Sequence, residues 1–299
     1  MQFILKIPKP FNFPATLKTH GWFQLPPFYW QADAQTLNWV MRLNSQPSLV
    51  QLRSVDETKN TTLVEFSGDF DESAKSLIEK KFRHIMNLDL DLTEYYHICQ
   101  KDKILCTVPE RGMGRLMRAE SLWEDVFKSI CGTNVQWKQA VKMIHNIASI
   151  GETAPGTDYH VFPGPEHILD RGEMFLKETG RVGYRSSYLI DLAKRFVAGE
   201  PMAEQAEKGE LSTEELKKYF LGFKGIGPTT ARYLMALYGS FSEMAIDSLV
   251  MKYMTDRHFN GRTPTHQEIS EFYQRFGRWR YLAYWMEFIV NEGWTPDAA

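Results

Sequence analysis

Residues Ser212-Thr-Glu-Glu-Leu-Lys-Lys-Tyr-Phe-Leu-Gly-Phe-Lys-Gly-Ile-Gly-Pro-Thr-Thr-Ala-Arg-Tyr-Leu-Met-Ala-Leu-Tyr238 spell two short helices joined by a tight turn. Ser212 suits the N-cap of the first helix, with Glu215 three residues on as its reciprocal capping-box partner. Gly222 marks its stop. Phe223-Lys-Gly-Ile-Gly227 then reads as a hairpin whose two glycines permit positive φ and close backbone approach, and Pro228 fits the first turn of the second helix. Ala231, Leu234, Met235 and Tyr238 recur at helical spacing and give that helix one apolar face.

A turn of this kind leaves backbone N–H groups unpaired at the positive end of a helix dipole, which is where an anion binds. A nucleic-acid phosphate fits there. An ordinary helical hairpin that needs glycine to turn also fits, because one fold element hosts many functions. The following residues, Gly239-Ser-Phe-Ser-Glu-Met-Ala-Ile-Asp247-Ser-Leu-Val-Met-Lys-Tyr253, place one aspartate immediately before a new apolar helical pattern. Asp is a preferred N-cap residue, and a capping role and a catalytic one can coexist in the same side chain.

Upstream of the hairpin, from about residue 119, helical periodicity dominates. It is carried by Leu122, Val126, Phe127 and Ile130, then Ala140, Met143, Ile144 and Ile147, then Tyr188, Leu189, Leu192 and Phe196. Residues 151–164 contain Pro155, Gly156, Pro163 and Gly164 and read as a loop joining two helical layers. The first hundred residues are mixed. Leu49–Val55 and Thr61–Phe66 are β-rich runs on either side of Asp56–Asn60, which suits a hairpin, and Pro27–Gln31 is a further short strand signal. Amphipathic helices are expected at 71–87, with Ala74, Leu77, Ile78 and Phe82 on one face, and near Leu92–Tyr96. The fold class is therefore α+β: an antiparallel sheet subdomain with helices over residues 1–112, then an all-helical domain over 113–299.

With 299 residues, 43% of them hydrophobic and 24% charged, the chain has a globular composition. No apolar run reaches the length of a membrane span and the N-terminal run is too short for a secretory signal, so an intracellular protein without membrane contact is expected. Cys99, Cys106 and Cys131 match no disulfide framework, zinc site or iron–sulfur spacing and read as reduced, buried thiols; no metal is expected. The formal net charge of −2 gives nucleic-acid binding no global support. Arg111, Arg115 and Arg118 form a local basic run, either a solvated face or a nucleic-acid contact.

The block Phe223-Lys-Gly-Ile-Gly-Pro-Thr-Thr-Ala231 followed by Ile246-Asp-Ser-Leu-Val250 resembles the helix-hairpin-helix and Gly/Pro-Asp (HhH-GPD) signature of a superfamily of DNA glycosylases. Further blocks extend the resemblance over most of residues 115–299: Trp123-Glu-Asp-Val-Phe-Lys-Ser-Ile-Cys-Gly-Thr-Asn134, Gly183-Tyr-Arg-Ser-Ser-Tyr-Leu189, Phe276-Gly-Arg-Trp-Arg-Tyr-Leu-Ala-Tyr-Trp285 and the ending Glu292-Gly-Trp-Thr-Pro-Asp297. The ending is similar to that of the 3-methyladenine DNA glycosylase II branch. The first hundred residues resemble the family's antiparallel β-subdomain only by position and type of structure.

The resemblance implies a role for each matched residue. Asp247 matches the catalytic aspartate, Tyr233 the pocket aromatic, and Trp285 is a second pocket candidate. Gly225, Gly227, Thr229 and Thr230 would meet DNA, the glycines through backbone N–H groups directly or through a bound monovalent cation. Asn134 and Val135 would fill the gap left by an extruded nucleotide, although asparagine is more often a turn residue. Thr229 stands where bifunctional relatives carry a lysine, so no amine is present at that place to form a Schiff base, and Lys224 and Lys252 read as solvent or phosphate contacts. No cofactor and no iron–sulfur cluster are expected. The implied function is monofunctional excision of damaged, alkylated purines from duplex DNA by a monomer. An 8-oxoguanine-type glycosylase is the enzymatic alternative, and a non-catalytic DNA-binding hairpin protein the other.

Overall fold

The computed structural model describes residues 1–57 and 61–292. The tip of the expected Asp56–Asn60 hairpin and the Gly-Trp-Thr-Pro-Asp ending after Glu292 lie outside the described residues. The N-terminal part contains β1 (Gln2–Pro8), α1 (Phe13–Leu17), β2 (Phe28–Gln31), β3 (Thr36–Leu43), β4 (Gln46–Glu57), β5 (Thr61–Gly68), α2 (Glu72–Ile85) and α3 (Thr93–Cys99). All four strand pairings are antiparallel, in the order β1-β5-β4-β3-β2. The sequence reading missed β1 and β3, although both alternate: Phe3, Leu5 and Ile7 turn inward in β1, and in β3 Leu37, Trp39, Met41 and Leu43 alternate with Thr36, Asn38, Val40 and Arg42.

Helix α2 covers one face of the sheet, with Phe82 edge-on to Phe66 at 5.0 Å and Asp71 capping its N-terminus by accepting from the Ala74 N–H. Ala74, Ile78 and Phe82 are buried as their spacing predicts, but Leu77 is exposed, being one position away from the contact stripe. The loop 151–164 does more than join helical layers. It lies across the sheet, where Tyr159 stacks on Tyr29 at 4.3 Å and Ala154 and Val161 bury Val40.

The remainder is helical: α4 (Leu122–Gly132), α5 (Trp137–Ala148), α6 (Pro165–Glu178), α7 (Ser186–Val197), α8 (Ala203–Lys208), α9 (Thr213–Leu221), α10 (Pro228–Leu237), α11 (Ser248–Arg257), α12 (His266–Phe272) and α13 (Arg280–Glu292). One apolar core runs from Phe3 in the sheet to Phe288 in α13. The basic run is neither a solvated face nor a nucleic-acid contact at its last two members. Arg118 is buried, donates to Leu237 O at 2.7 Å and lies over the Tyr238 ring, while Arg115 donates to Leu90 O at 2.9 Å. Each guanidinium satisfies carbonyls left over at helix and turn ends, which a surface charge could not do. Cys99 and Cys131 are buried thiols as expected, whereas Cys106 is exposed.

Candidate active site

The hairpin forms as its sequence dictates. Ser212 and Glu215 complete the capping box at the start of α9, and Gly222 closes the helix. Gly225 has φ +88°, and a Cβ there would stand 2.7 Å from Tyr188 Cδ2, so glycine is required both by conformation and by space. Gly227 differs from expectation. It is the N-cap of α10 with φ −90° and ψ 177°, ordinary extended backbone, and a side chain there would meet open space. The Ile226 N–H is engaged by Phe223 O at 3.1 Å, while among the described residues the N–H groups of Gly225, Gly227, Thr229 and Thr230 have no protein acceptor. They form the open positive end of α10.

These groups border a cleft of about 850 Å³ that also takes in Asn134, Val135, Tyr233, Asp247 and Trp285, so every site residue expected from the sequence lines one cavity. A smaller hollow of about 190 Å³ beside Gly209, Ser240 and Trp279 contains none of them.

Asp247 is the N-cap of α11 and accepts the Val250 N–H at 2.9 Å. Its carboxyl group is open to the cleft, yet protein encloses it on the other sides. That enclosure raises its pKa above the ordinary aspartate value, against the opposing pull of the Val250 and Leu249 N–H groups. No cation pairs with it among the described residues, so its charge is not neutralised in place. Its field reaches the Tyr233 and Tyr281 hydroxyls, which burial and nearby acidic groups hold well above the ordinary tyrosine range.

Asn134 has φ +53°, the left-handed turn geometry open to asparagine, and its side-chain amide reaches the exposed Tyr184 hydroxyl at 3.4 Å. Arg185 is buried behind this turn, donating to Thr133 O and to Val182 O, and so fixes the loop that presents Asn134 and Val135. Lys224 is paired with Asp191 at 2.9 Å and Lys252 with Asp256 at 2.6 Å, both on the surface. Thr229 occupies the first turn of α10 at the cleft. Lys128 also borders the cavity, but its ammonium is buried, 2.8 Å from Glu124, and lies over the Phe162 ring. Burial, which outweighs the attraction of Lys128, pushes the Glu124 carboxyl up to about 7.

Sequence reasoning missed the part of the site that comes from the N-terminus. A 3-10 turn at Gly21–Gln24 carries Trp22 into the cleft beside Tyr233, ring centroids 5.6 Å apart, with His20 edge-on to both. Trp137, at the start of α5, stacks on the other side of Trp22 at 6.3 Å. Gly21 makes this possible, since a Cβ there would collide with the Trp137 ring. The one signal in the sequence was a density of aromatics between Phe11 and Trp30 interrupted by His20-Gly-Trp22.

No family model matches the chain. It is 25% identical over 254 residues, 82% of each chain, to a DNA-3-methyladenine glycosylase of Bacillus subtilis. It is 24% identical over 219 residues to an N-glycosylase/DNA lyase of Saccharomyces cerevisiae, a match that takes in 68% of this chain and 57% of the yeast protein. Among solved structures, the 3-methyladenine DNA glycosylase from Archaeoglobus fulgidus shares the fold with a TM-score of 0.75 at 21% identity, covering 98% of this chain and 99% of that one. In fold over nearly its whole length and in sequence over most of it, this chain is similar to the helix-hairpin-helix DNA glycosylases, 3-methyladenine glycosylases among them.

Proposed function

We infer that this protein is a monofunctional DNA glycosylase that hydrolyses the N-glycosidic bond of damaged purines in duplex DNA, alkylated purines first, and leaves an intact abasic strand. The observation that carries the reading is the Asp247 carboxylate, uncompensated by any cation among the described residues and open to an aromatic-lined cleft beside free hairpin N–H groups. A stacked nucleotide cannot present its C1′ to such a group until it is extruded from the helix. With a DNA phosphate at the N–H groups of Gly225 and Gly227, and Asn134 and Val135 at the vacated stack, the extruded base would enter between Tyr233 and Trp285.

Bond cleavage leaves positive charge on the sugar, and Asp247 would stabilise it while water adds to C1′ and gives up a proton to the carboxylate or to solvent. Alkylation at a ring nitrogen makes the purine cationic, so it departs with the bonding electron pair as a neutral base. Before it departs, the cationic purine also gains roughly 0.5–2 kcal/mol over an aromatic face. We expect a monomer acting on intracellular DNA. Among the described residues no helix is long and apolar enough to cross a membrane.

An oxidised-base glycosylase with lyase activity is favoured by the yeast relative's name and opposed by Thr229 and by the Lys128 ammonium being held in its ion pair. Incubation with duplexes that each carry one defined lesion, with and without borohydride, separates the two. Free alkylated purine and no protein–DNA adduct are expected. An adduct that disappears in Lys128→Met, or that forms with any other lysine, contradicts the monofunctional reading.

A further inference from the structure

The chain reaches Asp247 from the hairpin through residues 239–246, and only the first part of that segment is tied by its backbone. The Ser240 N–H donates to Met235 O at 2.9 Å, the Ser240 hydroxyl lies 3.1 Å from Thr213 Oγ1, and Phe241 O accepts the Tyr281 N–H at 3.1 Å. From Ser242 to Ile246 no backbone-to-backbone hydrogen bond is present among the described residues. Burial of Met244, Ala245 and Ile246 holds this stretch, together with one polar anchor, the Glu243 carboxylate. Its Oε1 accepts from Lys217 Nζ of α9 at 2.8 Å and its Oε2 from Arg232 Nε of α10 at 2.8 Å. Partial burial alone would raise the pKa of this carboxyl, but the two cations outweigh it and hold the group below the ordinary glutamate range, so both pairs are charged at neutral pH. Apolar burial is non-directional, whereas two charge-assisted hydrogen bonds to separate helices fix a position.

We propose that Glu243 is a positioning residue that clamps the segment carrying Asp247 to both helices of the hairpin. Arg232 stands one turn beyond Thr229 on α10, so the helix whose free N–H groups would hold a DNA phosphate also grips the chain that delivers the carboxylate. In a nucleotide the phosphate and C1′ are a short, fixed number of bonds apart. A protein that holds the one must therefore keep its carboxylate at a set distance to meet the other, and Glu243 sets that distance. Glu243, Lys217 and Arg232 all stand outside the lining of the cleft, so they act on the reaction only through where Asp247 lies. A misplacement of about 1 Å at a reacting centre can cost on the order of a hundredfold in rate while the ground-state contacts to DNA stay as they were.

The role rests on the excision reading and adds what holds its carboxylate in place. Its test compares single-turnover base release from a duplex with one alkylated purine, at saturating full-length protein, with affinity for a duplex carrying a tetrahydrofuran abasic analogue. Glu243→Ala should release the base roughly tenfold to a hundredfold more slowly, with affinity no weaker than wild type because the freed Lys217 and Arg232 remain cationic. The double variant Lys217→Met, Arg232→Met should be slowed alike. Adding Glu243→Ala to it should slow release little further, since a carboxylate that works through two cations then has nothing to work through. The Val250 N–H, which donates to the Asp247 carboxylate, reads the clamp without chemistry. Its hydrogen exchange should quicken about tenfold in Glu243→Ala, while that of the Ala231 N–H, bonded to Gly227 O in α10, holds. If Glu243→Ala does not fold, the double variant takes its place in the rate and exchange measurements. A wild-type rate in the folded variant, a slowing of Glu243→Ala matched by lost affinity, or unchanged Val250 exchange overturns the inference. Faster Val250 exchange in the variant of a protein that releases no alkylated base overturns the functional reading instead and leaves the clamp standing.

Discussion

Asp247 caps α11, and the catalytic role proposed for it makes a different demand on the same carboxylate: a helix cap needs an acceptor oxygen, and a reacting sugar needs a negative charge. The cap could be read from the sequence, an aspartate directly before an apolar helical pattern, whereas the catalytic role was implied only by the resemblance to the glycosylase signature. The pocket role proposed for Tyr233 was likewise implied by the resemblance, and Tyr233 does line the cleft. His20 and Trp22 were not legible, since what brings them to the site is contact with residues more than a hundred positions away, and no short window carries that. Arg115 and Arg118 show the converse, charges that composition places at the surface and unpaired carbonyls draw inside.

The buried imidazole of His20 has a measurable consequence. Its folded pKa of about 4 lies below the value of 6.5 expected in the unfolded chain, so as pH falls from 6.5 towards 4 the unfolded state takes up the proton first and stability drops. Between pH 7 and 4.5 this group should cost the wild type about 2 kcal/mol that His20→Gln is spared. Parallel denaturant titrations of the two proteins at both pH values measure the difference. Equal pH dependence would mean that His20 is protonated or exposed when folded.

At the scale of elements, the capping box, the stop at Gly222 and the apolar face of α10 all followed from residue spacing, because each is a contact within one turn or one helix face. The two hairpin glycines looked alike in sequence but are distinguished by backbone geometry. Gly225→Ala should destabilise the fold by about 1–2 kcal/mol or more, because it meets both a left-handed φ and the Tyr188 ring. Gly227→Val meets neither and should leave the melting temperature near wild type. If the free N–H groups hold a DNA phosphate, its bulk should nevertheless weaken binding to duplexes of any sequence roughly tenfold or more, the worth of a hydrogen bond to a charged acceptor. Unchanged affinity in a folded Gly227→Val protein, or a loss confined to one sequence, would remove the phosphate from this place. Strands β1 and β3 were missed although both alternate, with Ile4 on the exposed side of β1 and Val40 among the polar residues of β3 blurring the period of two.

For the whole molecule, the sequence indicated a mixed N-terminal part and a helical remainder but not how they cooperate. A division into 1–112 and 113–299 stands as a proposal about chain organisation. The continuous core from Phe3 to Phe288, and a cleft that takes His20, Gly21 and Trp22 from the N-terminal part, explain why the helical signature alone left one wall of the cleft undescribed. All of this converges on one carboxylate. Single-turnover base release from a duplex with one alkylated purine, measured for wild type and Asp247→Asn alongside DNA affinity and melting temperature, tests it most directly. Asparagine caps a helix about as well as aspartate, so fold and affinity should hold while the rate falls on the order of a hundredfold or more. The wild-type rate should also fall as pH drops through the raised pKa of Asp247, with no such limb in the variant. A folded Asp247→Asn protein that releases the base at near wild-type rate would contradict the account.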